Sequence, residues 1–177
     1  MKSLKWIWIL GGCLLLGCAT IPKGLEPVTH FQVERYMGRW YEIRRLDHPY
    51  EVNLTNVFAD YTLLPNGEIE MISRGFQTRE NRWLIAKSTA SFIGNKDVAS
   101  LKLAFDGPAD DDYNVLFIDS SYRYAIVTCD DRDGLWILSR EPVLDKSILD
   151  SLVAKAKAWE FPTEQLIQVE QKAKPLI

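Results

Sequence analysis

The chain has 177 residues, with 21 Lys and Arg against 24 Asp and Glu, a net charge of −3, three cysteines and two histidines. Acids and bases are interspersed and no basic stripe occurs, which excludes a nucleic-acid-binding surface. Once a leader is removed, the length suits one domain with a sizeable core.

Lys2 and Lys5 precede an apolar run from Trp6 to Leu16. The run is shorter than the roughly 20 residues of a bilayer span and suits the h-region of a signal peptide. It ends in Leu15-Leu16-Gly17-Cys18, which resembles the bacterial lipobox. That resemblance implies cleavage before Cys18, acyl chains on its sulfur and acylation of the new amino terminus. Ala19 follows, not Asp, so an outer-membrane anchor facing the periplasm is expected. Residues 1–17 then form the signal peptide and 18–27 the lipidated cysteine and a tether. Residues 28–171 form the folded domain and 172–177 a tail. With Cys13 removed and Cys18 lipidated, Cys129 has no partner for an internal disulfide, so the fold must stand on its core.

The tether, with Pro22 and Gly24, lacks periodicity. Phe31, Val33 and Tyr36 suggest a helical turn that leads into Gly38-Arg39-Trp40-Tyr41-Glu42-Ile43, a strand of aromatic and β-branched residues. Val57 to Leu64 and Glu68 to Phe76 flank Pro65-Asn66-Gly67, a hairpin signal because Asn-Gly accepts positive φ. Further strands are expected over Arg82 to Phe92, Ala99 to Phe105, Tyr113 to Ile118, Tyr122 to Cys129 and Leu135 to Arg140, with Asp110-Asp111-Asp112 as a solvated loop at the rim. Alternation such as Leu101, Leu103, Phe105 against Ser100, Lys102, Ala104 makes one face apolar and the other solvated. A sandwich would show the same alternation. Eight short strands with short connections nevertheless suit an all-β, up-and-down antiparallel barrel that closes around one small ligand.

One helix follows. Asp145 caps it, and Ile148, Leu149, Leu152, Val153, Ala156 and Trp159 recur on one face before Pro162. It is expected to pack outside the barrel, with a short ninth strand at Leu166 to Val169.

Three segments together resemble the lipocalins. Gly38-x-Trp40 opens the first strand, Tyr122-Arg123-Tyr124 enters the seventh, and Arg140 ends the eighth just before the helix. With the lipobox, the chain is similar to the bacterial outer-membrane lipocalins and to apolipoprotein D. The resemblance implies a calyx plugged by Trp40, with Arg140 laid across its indole, and gives Gly38, Trp40, Tyr124 and Arg140 structural roles. It also implies binding, storage or transport of membrane-derived lipids such as fatty acids and lysophospholipids, for envelope maintenance. A homodimer is admitted by the resemblance and is not decided by the sequence. No cofactor is expected.

By alternation and resemblance, the ligand-binding residues are Arg44, Ala59, Tyr61, Met71, Ser73, Ala90, Phe92, Leu101, Leu103, Phe105, Asn114, Leu116, Val127 and Trp136. Period two from Trp40 puts Glu42 and Arg44 inside. There they pair with each other or with hydroxyls such as Tyr61, or a bulge turns them outward, or Arg44 meets the lipid's carboxylate or phosphate. His30 and His48 show no metal spacing, and no nucleophile elbow or phosphate loop occurs, so neither a metal site nor an enzyme is expected. Two readings remain: a lipid carrier, or an envelope lipoprotein whose barrel is filled by its own side chains and acts in structure or protein interaction.

Overall fold

The computed structural model describes residues 20–105 and 110–172. The expected signal peptide, Cys18, the turn at Asp106-Gly107-Pro108 and the tail beyond Lys172 lie outside the described residues. A helical turn α1 (Val33–Tyr36) leads into eight antiparallel strands: β1 (Gly38–Arg45), β2 (Leu54–Leu63), β3 (Ile69–Gln77), β4 (Arg82–Phe92), β5 (Ser100–Phe105), β6 (Asp110–Ile118), β7 (Tyr124–Thr128) and β8 (Leu135–Ser139). Each strand pairs with the next, and β1 pairs with both β8 and β2, so the sheet closes into a barrel. Closure rules out the sandwich that alternation alone would have allowed. A short strand β9 (Ile167–Gln168) pairs with β1 at Arg44 and Arg45, beyond the stretch that β1 shares with β2. Gln171 donates to the carbonyls of Glu42 and Val57 and bridges that seam.

Two cores result. Inside the barrel, Phe31, Tyr36, Trp40, Tyr61, Ile69, Leu101, Tyr113 and Val127 belong to one buried cluster. Outside, the helix α2 (Lys146–Ala158) sets Leu152 and Ala156 against Ile126, Leu135 and Ile137. Asp145 caps α2 by accepting from the Ser147 amide at 2.8 Å. No helix among the described residues is long and apolar enough to cross a membrane.

The structure corrects several expectations. The acidic run is not a loop: Asp110, Asp111 and Asp112 begin β6, paired with Ala104, Leu103 and Lys102. Asp112 tolerates burial because Lys102 donates to it at 2.9 Å. The segment from Thr20 is not a free tether either. Ile21 and Leu25 pack into the outer core, and Val28 exchanges backbone hydrogen bonds with Ala99 and Val115.

Candidate functional site

The base of the barrel is closed by one arginine. Arg140 places its guanidinium 3.9 Å from the Trp40 ring centroid and donates to the carbonyls of Arg39 and Arg35, each at 2.8 Å, and of Tyr122 at 3.2 Å. Trp40 Nε1 donates to the Tyr36 carbonyl at 2.8 Å. Gly38 sits at φ +91°, a left-handed conformation that favours glycine, and a Cβ there would be in ordinary contact with Arg140 Nη1 at 3.5 Å. The tyrosine that completes this closure is Tyr122, not Tyr124. Tyr122 has φ 58°, its hydroxyl accepts from the Gln32 amide, and Arg35 stacks on its ring, while Tyr124 packs into the outer core. Asp119 shapes the turn by accepting from the amides of Ser121, Arg123 and Tyr124.

Above this base the barrel is hollow. A cavity of about 790 Å³, mostly apolar, opens at the other end. Its floor is Trp40, Tyr61 and Tyr113, and the Tyr113 hydroxyl hydrogen-bonds those of Tyr36 at 2.6 Å and Tyr61 at 2.9 Å. These three buried hydroxyls satisfy one another, so the floor presents ring faces to the cavity rather than unmet polar groups. Ala59, Met71, Ser73, Leu103, Phe105 and Trp136 line the walls, together with Val57, Leu84, Ala86 and Leu138. Ala90, Phe92, Leu101 and Val127 belong to the inner cluster but do not line the cavity: the first three lie toward the closed end, and Val127 is buried between Val115 and Trp136. Ala90, Phe92 and Leu101 share the inner phase but sit at the wrong height, which alternation does not encode. Asn114 and Leu116 face outward, because Tyr113 pairs with inward Leu101. Asn114 is buried beneath the N-terminal segment and donates to the carbonyls of Thr20 and Cys129, and Leu116 packs in the outer core.

Arg44 is likewise outside. A bulge between Glu42 and Arg44 advances the phase of β1 by one residue, so Arg44 opposes outward Ile137 and Arg45 opposes cavity-lining Trp136. Arg44 donates to the Leu166 carbonyl at 3.4 Å. Arg45 is 2% exposed, and its guanidinium lies 3.6 Å from Glu42 and 3.3 Å from Glu51. Glu51, from the β1–β2 connection, also accepts from Trp136 Nε1 at 3.0 Å. The cavity wall thus carries Glu42 and Glu51 with Arg45 buried behind them, while Arg74, Arg82, Asp111 and Asp112 also line it. Burial first, then the charge of Glu51 and a hydrogen bond with its carboxyl, push Glu42 far above the usual carboxylate range, only partly offset by Arg45.

That cluster sets a pH dependence. The folded chain keeps a proton on Glu42 that the unfolded chain releases near the ordinary value of about 4.3. Its contribution is fully present below that value and is lost as pH rises through the folded-state value. Glu42→Gln should therefore flatten the fall in stability between mildly acidic and alkaline pH, read as urea midpoints across that range. An unchanged pH profile would remove Glu42 as its source.

Little here is arranged for chemistry. His48 packs between the rings of Tyr50 and Trp136. Asp111, Cys129 and Asp130 bring one potential ligand atom each within 4.8 Å of one another. Burial, first among the causes, pushes the Cys129 thiol up to about 11, which keeps it protonated and a poor ligand or nucleophile at neutral pH. Iodoacetamide should alkylate Cys129 much more slowly in the native chain than in urea; equal rates would contradict this protection.

An antiparallel barrel plugged at one end, hollow and apolar at the other, is the architecture of a ligand-holding calyx. Residues 31–171 match the family described as the lipocalin-like domain, and the chain belongs to the lipocalins. It is 36% identical over 165 residues to outer membrane lipoprotein Blc of Vibrio cholerae, covering 93% of this chain and 96% of that protein. It is 38% identical over 160 residues to outer membrane lipoprotein Blc of Escherichia coli K12, covering 89% and 90%. Among solved structures, insecticyanin of the tobacco hornworm superposes with a TM-score of 0.70 at 16% identity, covering 88% of this chain and 89% of that one. The cockroach allergen Per a 4 gives 0.68 at 19% identity, covering 86% and 96%. At such identity these likenesses speak for the fold alone.

Proposed function

We propose that the chain is an outer-membrane lipoprotein, anchored through Cys18, that holds the acyl chain of a fatty acid or lysophospholipid in its barrel. The cavity of about 790 Å³ carries this reading. It lies within the roughly 300–1,000 Å³ of small-molecule sites, and its apolar lining favours hydrocarbon. It also speaks for the lipid-carrier reading over a barrel filled by its own side chains. The anchor is supported by the lipobox and by relatives named as outer membrane lipoproteins that match nearly the whole chain. The Glu42–Glu51–Arg45 cluster supplies the polar group that orients a headgroup, and the role is binding rather than catalysis.

A chain-length series tests the reading. Each buried methylene contributes about 0.8 kcal/mol, so two more carbons should tighten binding roughly tenfold until the floor is reached. After association costs, affinity for a chain of about ten buried methylenes should be of micromolar order. Equal affinities for short and long chains would contradict a deep apolar pocket. Arg44→Ala should leave the preference between anionic and neutral lipids of equal length unchanged, since Arg44 faces away. Cys18→Ser should abolish incorporation of labelled fatty acid, and retained label would sink the anchor assignment.

A further inference from the structure

The N-terminal segment runs along the barrel wall in a fixed direction. At Val28 it hydrogen-bonds Ala99 and Val115, and Thr29 bridges to Val98 in the β4–β5 connection at the closed end. Traced back toward the amino terminus, it passes Arg132 of the β7–β8 connection, which donates to the Lys23 carbonyl at 3.0 Å. It then reaches Thr20, whose amide donates to Asp112 at 2.9 Å and whose carbonyl accepts from Asn114 at 3.1 Å. Asp112 is the third residue of β6, at the open end. Thr20 is therefore pinned beside the mouth. Cys18 is two residues earlier in the chain, and two residues of chain reach at most about 8 Å. The closed end of β6, at Ile118, is about 20 Å away along the strand, at about 3.3 Å per residue.

We propose that the open mouth faces the membrane, seating its rim in a zwitterionic phospholipid surface so that lipid passes between bilayer and cavity without crossing water. The inference rests on the proposed anchor at Cys18. If that residue's acyl chains are in the bilayer, a pinned segment of this length holds the mouth, not the base, against it. The rim is built accordingly. Among the described residues, the exposed large apolar side chains Tyr50, Val52, Ile85 and Ile167 lie toward the open end, and only Leu63 and Val143 lie toward the other. Trp83 stands outward beside Ile85, half-buried, 5.6 Å from the ring of Phe76. Tryptophan and tyrosine suit the headgroup region, with a ring to bury and a polar tip to hydrate. β4 pairs with β3 along its whole length, and its mouth-end part runs from Arg82 to Lys87. Leu84 and Ala86 of that part line the cavity, which makes rim and pocket continuous. Asp110 and Asp111 at the same end disfavour a strongly anionic surface.

The test uses the full lipidated chain in vesicles of phosphatidylethanolamine and phosphatidylcholine, some carrying a nitroxide in the headgroup region. In a Cys129→Ser background, Tyr50→Cys or Ile85→Cys places a fluorophore at the mouth, and Asn66→Cys or Lys96→Cys places one at the base. Mouth labels should shift to the blue and lose most of their fluorescence to the nitroxide, while base labels keep theirs. Quenching at the base, or at neither end, in chains that float with the vesicles would overturn the orientation alone. Failure to float with Cys18 intact would overturn the anchor, and the orientation with it.

Discussion

Arg140→Ala should lower folding stability by about 3 kcal/mol, which in a domain of this size corresponds to a drop in Tm of about 10 °C. The side chain donates three charge-assisted hydrogen bonds, to the carbonyls of Arg39, Arg35 and Tyr122. Each such bond contributes about 1.5–3 kcal/mol, though not additively, and the contact over Trp40 adds about 1. Truncation also uncovers Trp40, which is 1% exposed. Lysine should recover only a small part, because an ammonium cannot present a planar fork to three acceptors while covering an indole. Denaturant titration measures the loss. A change below about 1 kcal/mol would mean that the closed end is held by its aromatic packing instead.

Ala59→Trp should abolish most lipid binding without unfolding the chain. Ala59 faces Ser73 across the β2–β3 pair and Trp40 across the β1–β2 pair, and its side chain lines the cavity just above the floor. An indole there takes the room of about four methylenes, which at about 0.8 kcal/mol each is about 3 kcal/mol, or roughly a hundredfold in affinity. Ala90→Trp makes the informative contrast. Ala90 also faces inward, but it is 1% exposed in the closed-end core. There the same substitution overpacks, and stability should fall before binding can be read. Urea midpoints and lipid titrations on the two variants check the pair. Unaltered binding in Ala59→Trp would place the ligand outside the barrel.

The contrast between Ala59 and Ala90 also shows what the residues themselves disclose. Alternation and turn chemistry were enough to lay out the strands, and the spaced Gly38-x-Trp40, Tyr122-Arg123-Tyr124 and Arg140 marked the base, though of its two tyrosines the wrong one, Tyr124, was given the role. Height along the barrel has no period, so Ala90, Phe92 and Leu101 were indistinguishable from true cavity residues. Phase failed where the backbone departs from period two. The bulge after Glu42 exchanged Arg44 for Arg45, and no residue type at that point announces it. In β6 both faces are covered, by the cavity floor on one side and by the helix and N-terminal segment on the other, so its apolar content gave no preference. Asn114 held the missing clue. A fully buried amide in a strand needs partners, and the Thr20 carbonyl is one of them. Tyr50 and Glu51 reach the cavity from a connection between strands, where no periodic pattern exists to be read.

The most direct test is mass spectrometry of organic extracts from the chain purified out of membranes, followed by titration with a long-chain fatty acid or lysophospholipid. About one non-covalent lipid per chain, or saturable binding at about that ratio after delipidation, is the predicted result. No extracted lipid and no binding on addition would contradict lipid carriage and leave the barrel as a structural or interaction module.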